Sequence, residues 1–327
     1  MKIFSRRAVR GRILGFLYIA SIVCAMLALA IYPDRYVTAA LDGLKIWAVT
    51  VAPSLLPFFF LTALLTKTKA VSSLAKRAEP LGNFLYGGGG LAVYLQAMSF
   101  LSGYPIGAKT VADLYLGGAI SGKEAEKLSV VSSTSGPLFI VGGIGVSMFG
   151  DKKVGLIILI SHYLSSVFCG VVFRNLGSKK MTMTSISATK CENVLYESIY
   201  SSVLSVAIVG GFIAVFYTLA RIALDAGAYF PIVSLLRPVF GEPLATGIAI
   251  GITECTTGIK LISTVGVGAA GVGAATALVT LGGVSVWCQS AVYLGKAKVR
   301  ISVFALSKII GAAFAFAAAE LLFVVFY

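Results

Sequence analysis

The sequence predicts an all-α polytopic membrane protein built from two inverted repeats, and three observations carry that prediction. Of 327 residues, 58% are apolar and only 12% charged, with a mean hydropathy of +0.94, whereas soluble domains are about one-quarter charged. The apolar residues gather in runs long enough for helical crossings of about 20 residues each. The elements of the first half also recur in the second half in the same order. A secreted disulfide scaffold and a nucleic-acid binder are excluded. The net charge of +14 belongs to the segments between spans rather than to a polyanion-binding face.

The chain opens with Lys2, Arg6, Arg7, Arg10 and Arg12, followed at once by an apolar run over 13–32. Ala28-Leu29-Ala30 offers a small-x-small site like that of a secretory signal, but the run is long for one and more spans follow. Residues 1–36 are therefore expected to be a basic cytoplasmic N-terminus with an uncleaved anchor. Further crossings are predicted at 44–66, 128–149, 154–173, 196–224, 276–293 and 301–327. Two more apolar stretches, 91–116 and 244–263, are interrupted by Ser102-Gly103-Tyr104-Pro105-Ile106-Gly107 and by Thr253-Glu254-Cys255-Thr256-Thr257-Gly258. Turn formers and polar groups in mid-run make each a re-entrant hairpin.

The cations agree with that count. If both hairpins return to the side they entered from, 18 of the 27 basic residues lie on the cytoplasmic side, as the positive-inside rule requires. The repeats are then 44–174 and 196–327, joined by a cytoplasmic linker over 175–195. Gly107-x-Lys109 matches Gly258-x-Lys260, and Ser161-His162 matches Ser307-Lys308. Each unit has a long span, an amphipathic segment ending near Pro80 or Pro238, a broken hairpin and two more spans. The amphipathic segments space Val71, Leu74, Ala75, Ala78 and Ile232, Leu235, Leu236, Val239 as helix faces. An odd number of crossings separates the two starts, so the second unit is inverted, the symmetry of many secondary transporters with midplane sites.

Unwound backbone in a bilayer must be satisfied by protein, water or ligand, which makes the elbows the leading site candidates. Ser102, Tyr104 and Lys109 belong to the first; Thr253, Glu254, Cys255, Thr256, Thr257 and Lys260 to the second. A carboxylate at mid-span costs roughly 2.5–3.5 kcal/mol, so Glu254 is the first candidate for coupling, with a structural pair to Lys260 as the alternative. Lys109 and Asp113 have the i,i+4 spacing of an ion pair. Ser133, Thr134 and Ser135 before Gly136-Pro137, and Ser285 and Gln289 after Gly282-Gly283, are expected to break their spans and complete a midplane pocket. His162, the single histidine, is a proton relay or a partner for a neighbouring helix, and its counterpart Lys308 is expected to snorkel to the cytoplasmic face.

No P-loop, H-E-x-x-H or Gly-x-Ser-x-Gly signature is present, so neither an enzyme nor a bound cofactor or metal is expected. The five cysteines form no C-x-x-C. The elbow lysines and half-helix N-termini favour an anionic group on the solute.

At these residues the sequence resembles the sporulation integral membrane proteins of the YlbJ type, within the wider nucleoside-recognition or gate-domain group. The matching pieces are Pro53-Ser54-Leu55-Leu56-Pro57-Phe58-Phe59, Ser102-Gly103-Tyr104-Pro105-Ile106-Gly107-Ala108-Lys109, Gly122-Lys123-Glu124-Ala125-Glu126-Lys127-Leu128, Ser135-Gly136-Pro137-Leu138-Phe139-Ile140, His162-Tyr163-Leu164, and Gly282-Gly283-Val284-Ser285 with Gln289. The resemblance implies a gate-domain fold similar to that of concentrative nucleoside transporters and of the membrane part of ferrous-iron transport protein B. It also implies a bacterial plasma membrane and a spore-forming source. The expected function is movement of a small polar solute, anionic or nucleoside-like, across the bilayer. Two alternatives stand beside it: a non-transporting factor for spore envelope assembly, acting through loops such as 178–193, and an intramembrane enzyme on a lipid-linked substrate. Partners are the lipid bilayer and the unidentified solute, with a homo-oligomer or a sporulation membrane partner left open and nucleic acid excluded.

Overall fold

The computed structural model describes residues 2–68, 70–176 and 193–327. Most of the linker over 175–195, with all of the loop 178–193 but its last residue, lies outside them. The described residues are helical and contain no strand. In chain order the first half has α1 (Lys2–Ile31), α2 (Pro33–Thr66), α3 (Ala70–Arg77), α4 (Glu79–Tyr86), α5 (Gly89–Ser102), α6 (Ile106–Leu116), α7 (Gly122–Val131), α8 (Leu138–Met148) and α9 (Lys152–Val172). The second has α10 (Val194–Asp225), α11 (Phe230–Phe240), α12 (Glu242–Thr253), α13 (Cys255–Ser263), α14 (Ala269–Leu281), α15 (Gly283–Leu294) and α16 (Ile301–Phe326). Among the described residues five helical units are long and apolar enough to cross a membrane: α2, α9, α10, α14–α15 and α16.

The first long span differs from its predicted start at Leu44, because the helix already begins at Pro33. Asp34, Arg35, Asp42 and Lys45 suggest a loop, yet Tyr36, Ala39, Gly43 and Ile46 form a buried stripe on one face. That stripe packs on α10, where Arg35 Nη2 donates to Asp225 at 2.5 Å and Trp47 Nε1 donates to the Val206 carbonyl at 3.0 Å. The first amphipathic segment, α3, ends at Arg77, near Pro80. Pro80 itself sits in the first turn of α4, a place where its missing N–H costs nothing. Helices α4 and α5 then meet at 86°, so the chain turns sharply into the first hairpin. The other amphipathic segment, α11, buries no residue, and its Leu235 and Val239 are 77% and 78% exposed.

The span expected over 128–149 is interrupted. Residues 132–136 lie between α7 and α8 without helical structure, and α8 winds as a wider π-helix. Ser132 turns its hydroxyl back onto the Ser129 carbonyl at 3.2 Å, and Pro137 brings no N–H. The matching break between α14 and α15 falls at Gly282 and Gly283, with φ of 80° and 68°, values that glycine adopts freely.

Equivalent spans pack against each other, α2 on α10 and α9 on α16. Ser165 Oγ donates to the Gly311 carbonyl at 2.7 Å and Cys169 Sγ to the Ser307 carbonyl at 3.3 Å. Tyr327 at the far end of α16 meets Asp151 at the start of α9, so the two helices run antiparallel. Ser165 and Gly311 are 146 residues apart, the offset that also relates His162 to Lys308. The spans thus cross at matching points.

Candidate functional site

Each hairpin turns where the sequence places its polar residues. In the first, Gly103 takes φ +79° and ψ 176°, followed by Tyr104 and a cis Pro105. A helix cannot continue through that conformation, and α6 restarts at Ile106. In the second, Glu254 is extended at φ −138° and ψ 107° between α12 and α13. Its legs lie unusually close: a Cβ on Gly258 would stand 2.4 Å from Gly251 Cα and 2.5 Å from the Gly247 carbonyl.

Both elbows and both broken spans meet at a small central cavity of about 30 Å³. Its polar lining is Tyr104, Ser135, Glu254, Thr256, Ser285 and Gln289, with backbone at Gly103 and Gly136. Val51, Leu55, Phe139, Val209, Ile213 and Val286 supply an apolar wall. Sequence reasoning missed that wall, since apolar residues in apolar spans carry no signal. Glu254 is 2% exposed and is the single charged side chain among the described residues lining the cavity.

The Glu254 carboxylate does not pair with Lys260. It caps α13, accepting from Thr256 N at 3.2 Å, Thr257 N at 2.7 Å and Thr257 Oγ1 at 2.6 Å. A carboxylate on the first N–H groups of a helix uses the same donors and the same dipole that would hold an anion. Gln289 is 2% exposed; its Nε2 donates to Ser285 Oγ at 3.4 Å, while its Oε1 has no partner. An unpaired buried amide oxygen facing a cavity is a group that a ligand donor would satisfy.

The other predicted residues lie elsewhere. Lys109 points away from the elbow and donates to Ser201 Oγ of α10 at 2.5 Å; among the described residues no ion pair joins it to Asp113. Lys260 is exposed and lines a separate cavity with Arg221 and Thr257. Ser102 pairs with Thr62 of α2, and Thr253 accepts from Tyr229 at 2.8 Å. The last residue of the first leg of each hairpin therefore serves packing rather than the cavity.

Ser133, Thr134 and His162 build the support behind the cavity. Thr134 N donates to Ser99 Oγ at 3.0 Å, and their hydroxyls pair at 2.8 Å, tying the first break to the first hairpin. His162 Nε2 accepts the Ser135 N–H at 2.9 Å, which leaves Nδ1 to donate to Thr280 Oγ1 at 2.8 Å, since Thr280 already donates to the Thr276 carbonyl. Both ring nitrogens are committed, so the imidazole acts as a neutral strut. Lys308 does not snorkel. It is 6% exposed, and its ammonium donates to the Ser133 carbonyl. Equivalent residues of α9 and α16 thus hold the N–H and the C=O of the same break.

Among curated proteins, the sporulation integral membrane protein YlbJ of Bacillus subtilis (strain 168) is 30% identical to the chain over 276 residues, covering 76% of this chain and 67% of that protein. No family model and no solved structure matches the chain.

Proposed function

The chain belongs to the family of sporulation integral membrane proteins of the YlbJ type, and from that premise we propose that it moves a small polar solute across the bacterial plasma membrane, its N-terminus cytoplasmic, in a process linked to sporulation. The observation that carries the reading is the central cavity, to which both hairpin elbows and both span breaks contribute. Backbone breaks inside a bilayer occur where they line a site or are buried in protein. The antiparallel crossing of α9 and α16 at Ser165 and Gly311 supports two inverted units of the gate-domain kind, and alternating access works by rocking such units about a shared site. No signature of a transforming enzyme accompanies the cavity.

The lining also bears on the solute. Neither Lys109 nor Lys260 reaches the cavity, and Glu254 already occupies the α13 N-terminus. The ground supplied by the lysines therefore falls away, and with it the one supplied by the α13 N-terminus. A carboxylate, an unpaired amide oxygen and an apolar wall suit a neutral or cationic solute with hydrogen-bond donors and an apolar face, a class that includes nucleosides. Glu254 and Gln289 are its proposed recognition groups.

The test is a thermal-shift screen of the purified chain in detergent against nucleosides, organic cations and organic anions, with Glu254→Gln and Gln289→Ala beside the wild type. A ligand for the native state raises the unfolding temperature. A neutral or cationic compound that stabilises the wild type but neither variant is expected, followed by its uptake into proteoliposomes. If nothing in the screen shifts a protein whose variants stay folded, the reading gives way to a non-transporting factor in spore envelope assembly.

A further inference from the structure

A second, ion-sized pocket of about 20 Å³ lies behind the first break, between α7, α9, α14 and α16. Its lining includes hydroxyls, His162 and Lys308 but no carboxylate. The hydrogen-bond inventory there is unbalanced. The Ser133 carbonyl is taken by Lys308, the Gly311 carbonyl by Ser165, the Ser307 carbonyl by Cys169 and His162 Nε2 by the Ser135 N–H. Donors remain. Ser133 Oγ, in a residue 2% exposed, has no partner. Ser166 Oγ accepts from Gln96 Nε2 at 3.2 Å, which leaves its own O–H free. Lys308 has three ammonium hydrogens and one hydrogen-bonded acceptor among the described residues, besides the Phe304 ring 5.7 Å away. Among the described residues no carboxylate pairs with it.

We infer that this pocket binds a small inorganic anion of the size and charge of chloride, held by Lys308 Nζ and the Ser133 and Ser166 hydroxyls. A buried cation needs a counter-charge, and a halide supplies it. A halide is also a pure acceptor, so it satisfies three surplus donors at once. A water molecule brings two donors of its own and leaves both the surplus and the charge in place. The break is the shared wall of two sites: Ser133 and Thr134 line this pocket, and Ser135 and Gly136 line the central cavity. Anion occupancy therefore sets the backbone that shapes the central cavity. Binding itself is independent of the transport reading.

The experiment is thermal unfolding of the full chain in detergent at constant ionic strength, with chloride or bromide replacing gluconate, an anion too large for the pocket. The wild-type midpoint is expected to rise saturably with either halide. Lys308→Met should abolish the rise, Ser133→Ala should weaken the apparent affinity roughly tenfold through loss of a hydrogen bond to a charged group, and Lys260→Ala should leave it unchanged. Indifference of the wild type to halide overturns the inference, including the case in which the midpoint responds to pH alone, which would mean a neutral amine. A rise that persists in Lys308→Met also overturns it. Should that variant not fold, unchanged affinity in both Ser133→Ala and Ser166→Ala does the same.

Discussion

The two breaks that face each other across the central cavity occupy equivalent places and are fastened in opposite ways. The second is held chiefly by its own half, with one tie from the other, His162 Nδ1 to Thr280 two residues before it at 2.8 Å. Gly282 and Gly283 adopt the turn by themselves, Trp287 Nε1 donates six residues back to the Leu281 carbonyl at 2.7 Å, and the adjacent elbow is capped by its own Glu254. The first is held from a distance, by Ser99 on its hairpin, His162 on α9 and Lys308 on α16. A locally fastened break moves as a rigid piece of its own half. One fastened by spans from both halves senses any slide of α9 against α16. The asymmetry predicts that residues 132–136 follow a slide of α9 against α16 more closely than the α12–α15 unit does.

The largest expected effect breaks the distant fastening. His162→Ala strands the buried Ser135 N–H, at about 1–3 kcal/mol, and opens a cavity at a fully buried side chain, so a loss of about 3 kcal/mol is expected in detergent unfolding. His162→Gln, which can still accept, should recover part of it. If His162→Ala is neutral, the first break is not held through α9. Next comes the rigid unit. Gly258→Ala drives a methyl group into the backbone of α12 at Gly251 and Gly247, and overpacking of that kind costs about 1–3 kcal/mol. The same change at Gly142, with nothing within 4 Å of the added Cβ, should be tolerated.

Both elbows are legible in the sequence because polar residues and turn formers interrupt apolar runs, and the structure turns the chain at Gly103-Tyr104 and at Glu254. All six of the cavity's polar side chains, Tyr104, Ser135, Glu254, Thr256, Ser285 and Gln289, sit in or just after the interruptions that flag them. The lysines are not legible in the same way. Whether Lys109 faces the cavity or α10 depends on helical phase after the turn, and a shift of one residue rotates a helix by about 100°. The burial of Lys308 depends on a carbonyl 175 residues away, and no local pattern encodes that. The hydropathy of 33–46 hides a helix because its buried face holds only every third or fourth residue.

A smaller effect is expected at the second break. Trp287→Phe keeps the ring but loses the donor to the Leu281 carbonyl, a single intramolecular hydrogen bond of about 1 kcal/mol. The loss should appear as faster hydrogen exchange confined to the amides around 281–285, because the fastening is local. Exchange that also rises at 132–136 would mean that the two breaks open together and that the asymmetry is structural only.

The smallest stability effect is expected where the functional effect is largest. Glu254→Gln leaves an oxygen on the same side chain to accept from the Thr257 N–H, while the amide turns its NH2 group toward the cavity. What the helix loses is the interaction of a full charge with its dipole, about 0.3–1 kcal/mol, and the oxygen that accepts the Thr256 N–H at 3.2 Å, about 1 kcal/mol; it regains the desolvation cost of a buried carboxylate, so the unfolding temperature should fall only slightly. Solute recognition has no such compensation, because a donor on the solute would then face another donor. A stable Glu254→Gln protein without solute-induced stabilisation separates the capping role of Glu254 from its recognition role. If the variant instead unfolds several degrees lower and still responds to solute, Glu254 is a cap alone, and recognition passes to Gln289 and the hydroxyls of Tyr104 and Ser285.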